Sequence, residues 1–147
     1  MQIGGEPKSR SKEGNEGLDL RILIADDNNL AIKLLTIYLK QKYPLATIES
    51  VKNGKELVSR LSDPSQNFNF IFTDQNMPEM TGLEAAMEIR SKGNNIPIIM
   101  ITAQSADSFE SLKAEAEKYK VYCFQKPLTK EVVSELYAAM EGMITMQ

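Results

Sequence analysis

Apolar residues along this chain alternate between two rhythms. Short, mostly apolar runs are separated by longer stretches in which apolar positions recur every three or four residues. The runs are Leu20–Ala25, Ala46–Val51, Phe68–Thr73, Ile96–Ile101 and Val121–Gln125, and their length and content predict strands. The stretch Asn29–Tyr43 carries Leu30, Leu34, Ile37 and Tyr38 at helical spacing and predicts helix one. Asn53-Gly54-Lys55-Glu56 opens helix two with a cap followed three residues later by an acid, and that helix runs to about Leu61. Thr81-Gly82-Leu83-Glu84 repeats the spacing at helix three, which ends near Gly93. Asp107 to Glu110 repeats it again at helix four, which continues to about Tyr119. Helix five is expected from about Thr129 to Met143, with Leu128, Val132, Val133, Leu136, Tyr137 and Met140 on its apolar face.

Strands of this kind separated by helices imply a parallel sheet covered on both faces. Five such units suit an α/β, doubly wound, flavodoxin-like five-stranded parallel sheet in the order 2-1-3-4-5, with five helices. In an open sheet of that order, strands one and three are neighbours at the topological switch point, where ligands bind beyond the carboxyl ends. The folded domain is expected over 18–147. Residues 1–17 are polar, rich in Gly, Ser, Lys and Glu, and predict a disordered leader or linker.

Composition changes this picture mainly by exclusion. The chain has 147 residues, which fits one domain, and a net charge of -3, which gives no reason to expect nucleic-acid or membrane binding. Lys8, Arg10 and Lys12 in the leader are cancelled by Glu6, Glu13 and Glu16, so it is not a basic arm. No apolar run approaches the ~18 residues of a membrane span. Cys123 is the only cysteine; no internal disulfide can form, which fits a cytoplasmic setting. Histidine is absent, which removes histidine ligands, histidine bases and Ser-His-Asp triads. The chain therefore cannot itself be a phosphohistidine donor.

The chemistry sits where the apolar runs stop. Strand one stops at Asp26-Asp27, strand three at Asp74, strand four at Thr102, and strand five at Lys126-Pro127. At neighbouring strand ends these side chains meet at one rim. Clustered carboxylates repel one another, and a hard divalent cation with oxygen ligands relieves that repulsion. Asp74, alone at the end of the central strand, is the best nucleophile, and its attack on phosphorus gives an aspartyl phosphate. Asp26 and Asp27 would hold the metal, Lys126 would pair with a phosphoryl oxygen, and Thr102 would donate its hydroxyl to another. Ala103 is small enough to leave the phosphate accessible, and a cis Lys126-Pro127 bond would aim the ammonium inward.

These residues resemble the receiver domain of response regulators in two-component and phosphorelay signalling. The resemblance rests on Ile22-Leu23-Ile24-Ala25-Asp26-Asp27-Asn28, Asp74-Gln75-Asn76-Met77-Pro78-Glu79-Met80-Thr81-Gly82, Ile101-Thr102-Ala103 and Lys126-Pro127. It covers the chain from about Leu20 to Gly142 and is most like the receivers of hybrid histidine kinases. It implies phosphorylation on Asp74 from a phosphohistidine on a histidine kinase or histidine phosphotransfer protein. It also implies Mg2+ held by the Asp26, Asp27 and Asp74 side chains and the Asn76 carbonyl, in a chain acting as a monomer or weak dimer. Helix four, strand five and helix five are the expected responsive surface.

Two departures from the family pattern stand out. The switch aromatic, usually three residues before the lysine, is replaced by Cys123, and strand alternation points Tyr122 and Phe124 to the opposite face. The glycine usual before strand five is replaced by Lys118-Tyr119-Lys120, which predicts an irregular end to helix four.

Rival readings are weaker. A metal-dependent phosphatase commonly needs an acid two residues after its nucleophile, and Asn76 there cannot serve. A flavodoxin needs a Ser/Thr/Gly-rich phosphate loop after strand one, where this chain has two acids. A phosphorylation-independent pseudo-receiver scaffold remains the alternative, kept open by Cys123. Within 147 residues the chain reads either as a stand-alone receiver or as part of a larger kinase.

Overall fold

The computed structural model describes residues 17–145. The predicted leader therefore lies almost wholly outside the described residues. The five strands are β1 (Arg21–Ala25), β2 (Thr47–Val51), β3 (Phe70–Thr73), β4 (Ile98–Thr102) and β5 (Val121–Gln125). The helices are α1 (Asn29–Lys42), α2 (Gly54–Ser62), α3 (Gly82–Ser91), α4 (Ala106–Glu117) and α5 (Lys130–Thr145). The strands form one sheet in the order β2-β1-β3-β4-β5, with every neighbouring pair parallel. The doubly wound order expected from the alternation is the one observed.

Parallel strands joined by helices leave both sheet faces to be covered, and two apolar layers do this. On one face Ile22, Ile24, Phe70, Phe72, Ile99 and Ile101 meet Leu35 and Leu39 of α1 and Leu136 and Met140 of α5. On the other, Leu23, Ala25, Ile71, Ile98, Met100 and Val121 meet α2, α3 and α4 through Leu57, Val58, Ala85, Ala86, Ile89 and Ala116. Strand alternation assigns the residues of each strand to these two layers. Among the described residues, no helix is long and apolar enough to cross a membrane.

Several element boundaries differ from the apolar runs, each for a physical reason. Strand β4 begins at Ile98, not Ile96, because Pro97 has no N–H for the ladder, although its carbonyl accepts from the Ile71 N–H at 2.9 Å. Strand β3 begins at Phe70 because the Asn69 side-chain oxygen takes up the Arg21 N–H at 2.7 Å. Phe68 drops out of the strand and packs under the Arg21 and Arg60 guanidiniums, 4.8 and 5.5 Å from its ring centre. Both guanidiniums also pair with Glu49, which holds its carboxyl below the usual range.

Helix α1 shows the largest correction. The stripe that marks it as a helix is not the one it buries. Leu35 and Leu39 face the core, while Leu30 is 75 % exposed and Leu34 and Ile37 are also exposed. Helix α4 is capped by Ser105, whose hydroxyl accepts from the Ser108 N–H at 3.3 Å, and not by Asp107. A cap must stand outside the helix, and Asp107 already lies within its first turn. By contrast, Asn53 caps α2, and Thr81 and Glu84 complete a reciprocal capping box on α3.

The irregular end expected for α4 is present and has a cause. Lys120 takes φ 58°, in the left-handed region where the family pattern puts glycine. The Arg90 guanidinium secures that turn by donating to the Tyr119 and Lys120 carbonyls at 2.7 and 3.3 Å. It also donates to the Asn94 and Ile96 carbonyls at 2.9 and 2.8 Å, so one side chain ties the α3–β4 loop to the α4–β5 turn. Burial lowers the Arg90 pKa from its ordinary value.

Candidate functional site

Register places the charged strand ends side by side. Ala25 pairs with Thr73, so Asp26 and Asp74 leave adjacent strands at the same level. Backbone bonds extend the ladder past the strands: the Asp74 N–H donates to the Ala25 carbonyl at 2.9 Å and the Lys126 N–H to the Thr102 carbonyl at 2.9 Å. Lys126 is followed by a cis bond to Pro127.

The Lys126 ammonium reaches both neighbouring acids. It lies 3.2 Å from Asp26 Oδ2 and 3.5 Å from Asp74 Oδ2. One carboxylate oxygen from each of Asp26, Asp27 and Asp74 lies within 4.8 Å of the other two. One ammonium among three carboxylates leaves an excess of negative charge, and the available donors are all oxygen. That is the chemistry of a hard divalent-cation site. Asp26 is buried, Asp74 half-buried and Asp27 exposed, so the cluster is anchored on the inside and open outside.

Local bonds fix the orientation of each acid. Asp26 Oδ1 accepts from the Asn28 N–H at 3.0 Å, and Asn28 in turn caps α1 by accepting from the Leu30 and Ala31 N–H groups. Asp74 Oδ1 accepts from the Gln75 N–H at 2.7 Å. The Gln75 side-chain oxygen then accepts from the Leu83 N–H at 2.8 Å, tying the acid's neighbour to the start of α3. Gly82 is required by proximity. A Cβ there would stand 2.2 Å from the Asp74 carbonyl oxygen.

Two further sequence-predicted residues lie on the neighbouring segments. Thr102 is fully buried at the end of β4, where alternation places it with Ile98 and Met100, and its hydroxyl has no hydrogen-bond partner. Asn76 is exposed in the β3–α3 loop. Ala103 is exposed and borders the open groove beside Asp74. That groove, about 490 Å³, runs from Asp26, Asp74 and Lys126 between α1 and the Pro127-Leu128 segment, with Leu30 and Leu34 on its wall.

Cys123 packs with the layer of Val121 and Met100, while Phe124 belongs to the opposite layer, as alternation requires. Burial pushes the Cys123 thiol up to about 11. Tyr122 is exposed, and neither ring takes the place of the missing aromatic. Sequence reasoning missed Gln125, whose side-chain amide donates to the Gln104 carbonyl at 2.7 Å. It also missed the Gln75 clasp. Neither has a simple sequence signal: the Gln125 bond depends on where the β4–α4 loop arrives, and the Gln75 bond on how the β3–α3 loop folds back onto the start of α3.

A doubly wound sheet with an acid cluster and one lysine beyond its strand ends defines an α/β protein with a cation- or anion-binding site at the switch point. Comparison with known proteins makes the assignment specific. Residues 22–138 match the model of the response regulator receiver domain, and the chain belongs to that family. It is therefore a receiver domain of two-component signalling. It is 32% identical over 133 residues to the two-component response regulator ARR22 of Arabidopsis thaliana, covering 90% of this chain and 91% of that protein. Chemotaxis protein CheY1 of Helicobacter pylori is 32% identical over 127 residues, covering 84% of this chain and 98% of that protein. The osmosensing histidine protein kinase SLN1 of Saccharomyces cerevisiae matches at 28% over 142 residues, 92% of this chain but only 12% of that kinase. Among solved structures, the response regulator TrrA of Thermotoga maritima, in complex with Mg2+–BeF, has a TM-score of 0.69 at 28% identity. The match covers 84% of this chain and 98% of that one.

Proposed function

We propose that Asp74 accepts a phosphoryl group from a phosphohistidine on a histidine kinase or histidine phosphotransfer protein, and that this switches partner binding. The observation that carries the reading is the Lys126 ammonium set between Asp26 and Asp74 within a cluster of three acids. An Asp74 oxygen forms the new bond to phosphorus as the bond from phosphorus to the donor imidazole breaks, and the imidazole nitrogen retains the electron pair. Asp26, Asp27 and Asp74, with the Asn76 carbonyl, would hold Mg2+, which supplies charge neutralisation at the phosphoryl oxygens. Lys126 stands where it can pair with a phosphoryl oxygen, and Thr102 brings a hydroxyl that has no other partner.

The donor is expected to approach through the open groove. Its wall continues into the exposed stripe Leu30, Leu34 and Ile37 on α1, an apolar surface beside the acceptor. The test is incubation with a small-molecule phosphodonor and Mg2+, followed by intact-mass measurement of wild type and Asp74→Asn. Uptake of one phosphoryl group by wild type alone supports the reading. Equal labelling of both moves the acceptor elsewhere, and no uptake by either favours the pseudo-receiver scaffold.

A further inference from the structure

We infer that Gln125 is a positioning residue that holds the β4–α4 loop in the phosphate-free arrangement, taking over in this chain the coupling of that loop to β5. The inference rests on phosphoryl acceptance at Asp74. Two hydrogen bonds clamp the segment after β4 from the β5 side. The Lys126 backbone N–H holds the Thr102 carbonyl at 2.9 Å, and the Gln125 side-chain amide holds the Gln104 carbonyl at 2.7 Å. Between them Ala103 is fixed at the mouth of the groove.

The clamp retains an arrangement that is otherwise unfavourable. Thr102 is fully buried with its hydroxyl unpaired, and a buried hydroxyl without a partner opposes folding. A phosphoryl oxygen on Asp74 is the acceptor that hydroxyl lacks. Thr102 shares a sheet face with Ile98 and Met100, and on this proposal its hydroxyl meets the phosphoryl oxygen through a shift of the 102–104 segment. That shift pulls the Gln104 carbonyl away from Gln125. The bond to Gln125 is therefore present in one state and absent in the other, as an element that biases a two-state equilibrium must be. Neither ring of β5 stands at the position that would couple the loop to that strand. Cys123 stands at the family's aromatic position, packed in the layer of α4, and Phe124 faces the opposite layer.

The sign of the effect separates this role from ordinary structural support. Gln125→Met keeps the length and apolar stem but removes the donor, and the half-buried Gln104 carbonyl can turn to water instead. Losing one hydrogen bond from the phosphate-free state alone should tighten binding of beryllofluoride with Mg2+ by about three- to tenfold, while urea stability falls slightly. Gln125→Leu should act in the same direction. In a Thr102→Val background, where no hydroxyl awaits an acceptor, the gain from Gln125→Met should disappear. Titration calorimetry of the full chain reads all of these proteins. Equal or weaker beryllofluoride binding by both Gln125 variants overturns the inference, as does a gain that persists without the Thr102 hydroxyl. A wild type that binds beryllofluoride while the variants do not differ sinks Gln125 alone. A wild type that binds none sinks the phosphoryl reading and the inference with it.

Discussion

Replacing Gly82 with alanine should both destabilise the fold and displace Asp74. The added Cβ would stand 2.2 Å from the Asp74 carbonyl oxygen and 3.1 Å from Thr73 Oγ1, where ordinary contact begins at 3.4 Å. Either α3 or the end of β3 must therefore give way by about 1 Å, an overpacking that typically costs about 1–3 kcal/mol. Alanine's better helix propensity returns at most about 1 kcal/mol, leaving a net loss of up to about 2 kcal/mol. With a urea dependence of roughly 2 kcal/mol per molar, the unfolding midpoint should fall by up to roughly 1 M. The movement reaches the acid because Gly82 N–H and Leu83 N–H both bond Gln75, whose own N–H holds Asp74 Oδ1. Misplacement of the proposed acceptor by this much should slow phosphoryl uptake about tenfold or more.

Gly142→Ala provides the opposite sign within one molecule. Nothing lies within 4 Å of a Cβ there, so the same substitution in α5 should raise stability by up to about 1 kcal/mol. Parallel urea titrations and phosphodonor time courses make the measurement. A Gly82→Ala protein as stable as wild type and labelled at the same rate would refute the idea that this contact positions Asp74.

Other parts of the molecule give three further expected outcomes. Arg90→Met removes donors to four carbonyls in two loops and should lower stability by about 2–4 kcal/mol in urea unfolding; a loss below about 0.5 kcal/mol would mean that the guanidinium is not the tie between those loops. Lys120→Gly relieves a left-handed side-chain-bearing residue and should gain about 0.5–1 kcal/mol, and a destabilised variant would contradict that assignment. Cys123, with its thiol up to about 11, should react with iodoacetamide at pH 8 roughly a hundredfold more slowly than in urea, where the free thiol lies near about 8.5. Because the folded value is raised, this stabilising contribution is complete below about 8.5 and fades as pH climbs towards the folded value. Comparable labelling rates folded and unfolded would show that the thiol is not buried.

Much of the molecule was legible in the residues alone because it is governed by local rules. Apolar runs between helical stretches defined the order of elements, and five covered strands admitted few arrangements. The caps Asn53 and Thr81 were legible because a cap and its acid lie within one turn. Even the grouping of these side chains could be anticipated, since Asp26, Asp27, Asp74 and Lys126 each stand where an apolar run ends.

Other features were decided by the tertiary structure, for reasons that no window along the chain contains. Helix α1 has apolar residues on more than one side, and the position of the sheet chose Leu35 and Leu39 for burial over Leu30, Leu34 and Ile37. The burial of Thr102 with its hydroxyl unpaired depends on how the chain leaves β4. The bond between Gln125 and Gln104 spans 21 positions, and the close approach of Gly82 to Asp74 needs α3 packed against the end of β3. Sequence patterns carry which elements form and in what order, because propensity and periodicity are local. Which stripe is buried, which hydroxyl is stranded and which loop is held are settled only when separate elements meet at van der Waals distance.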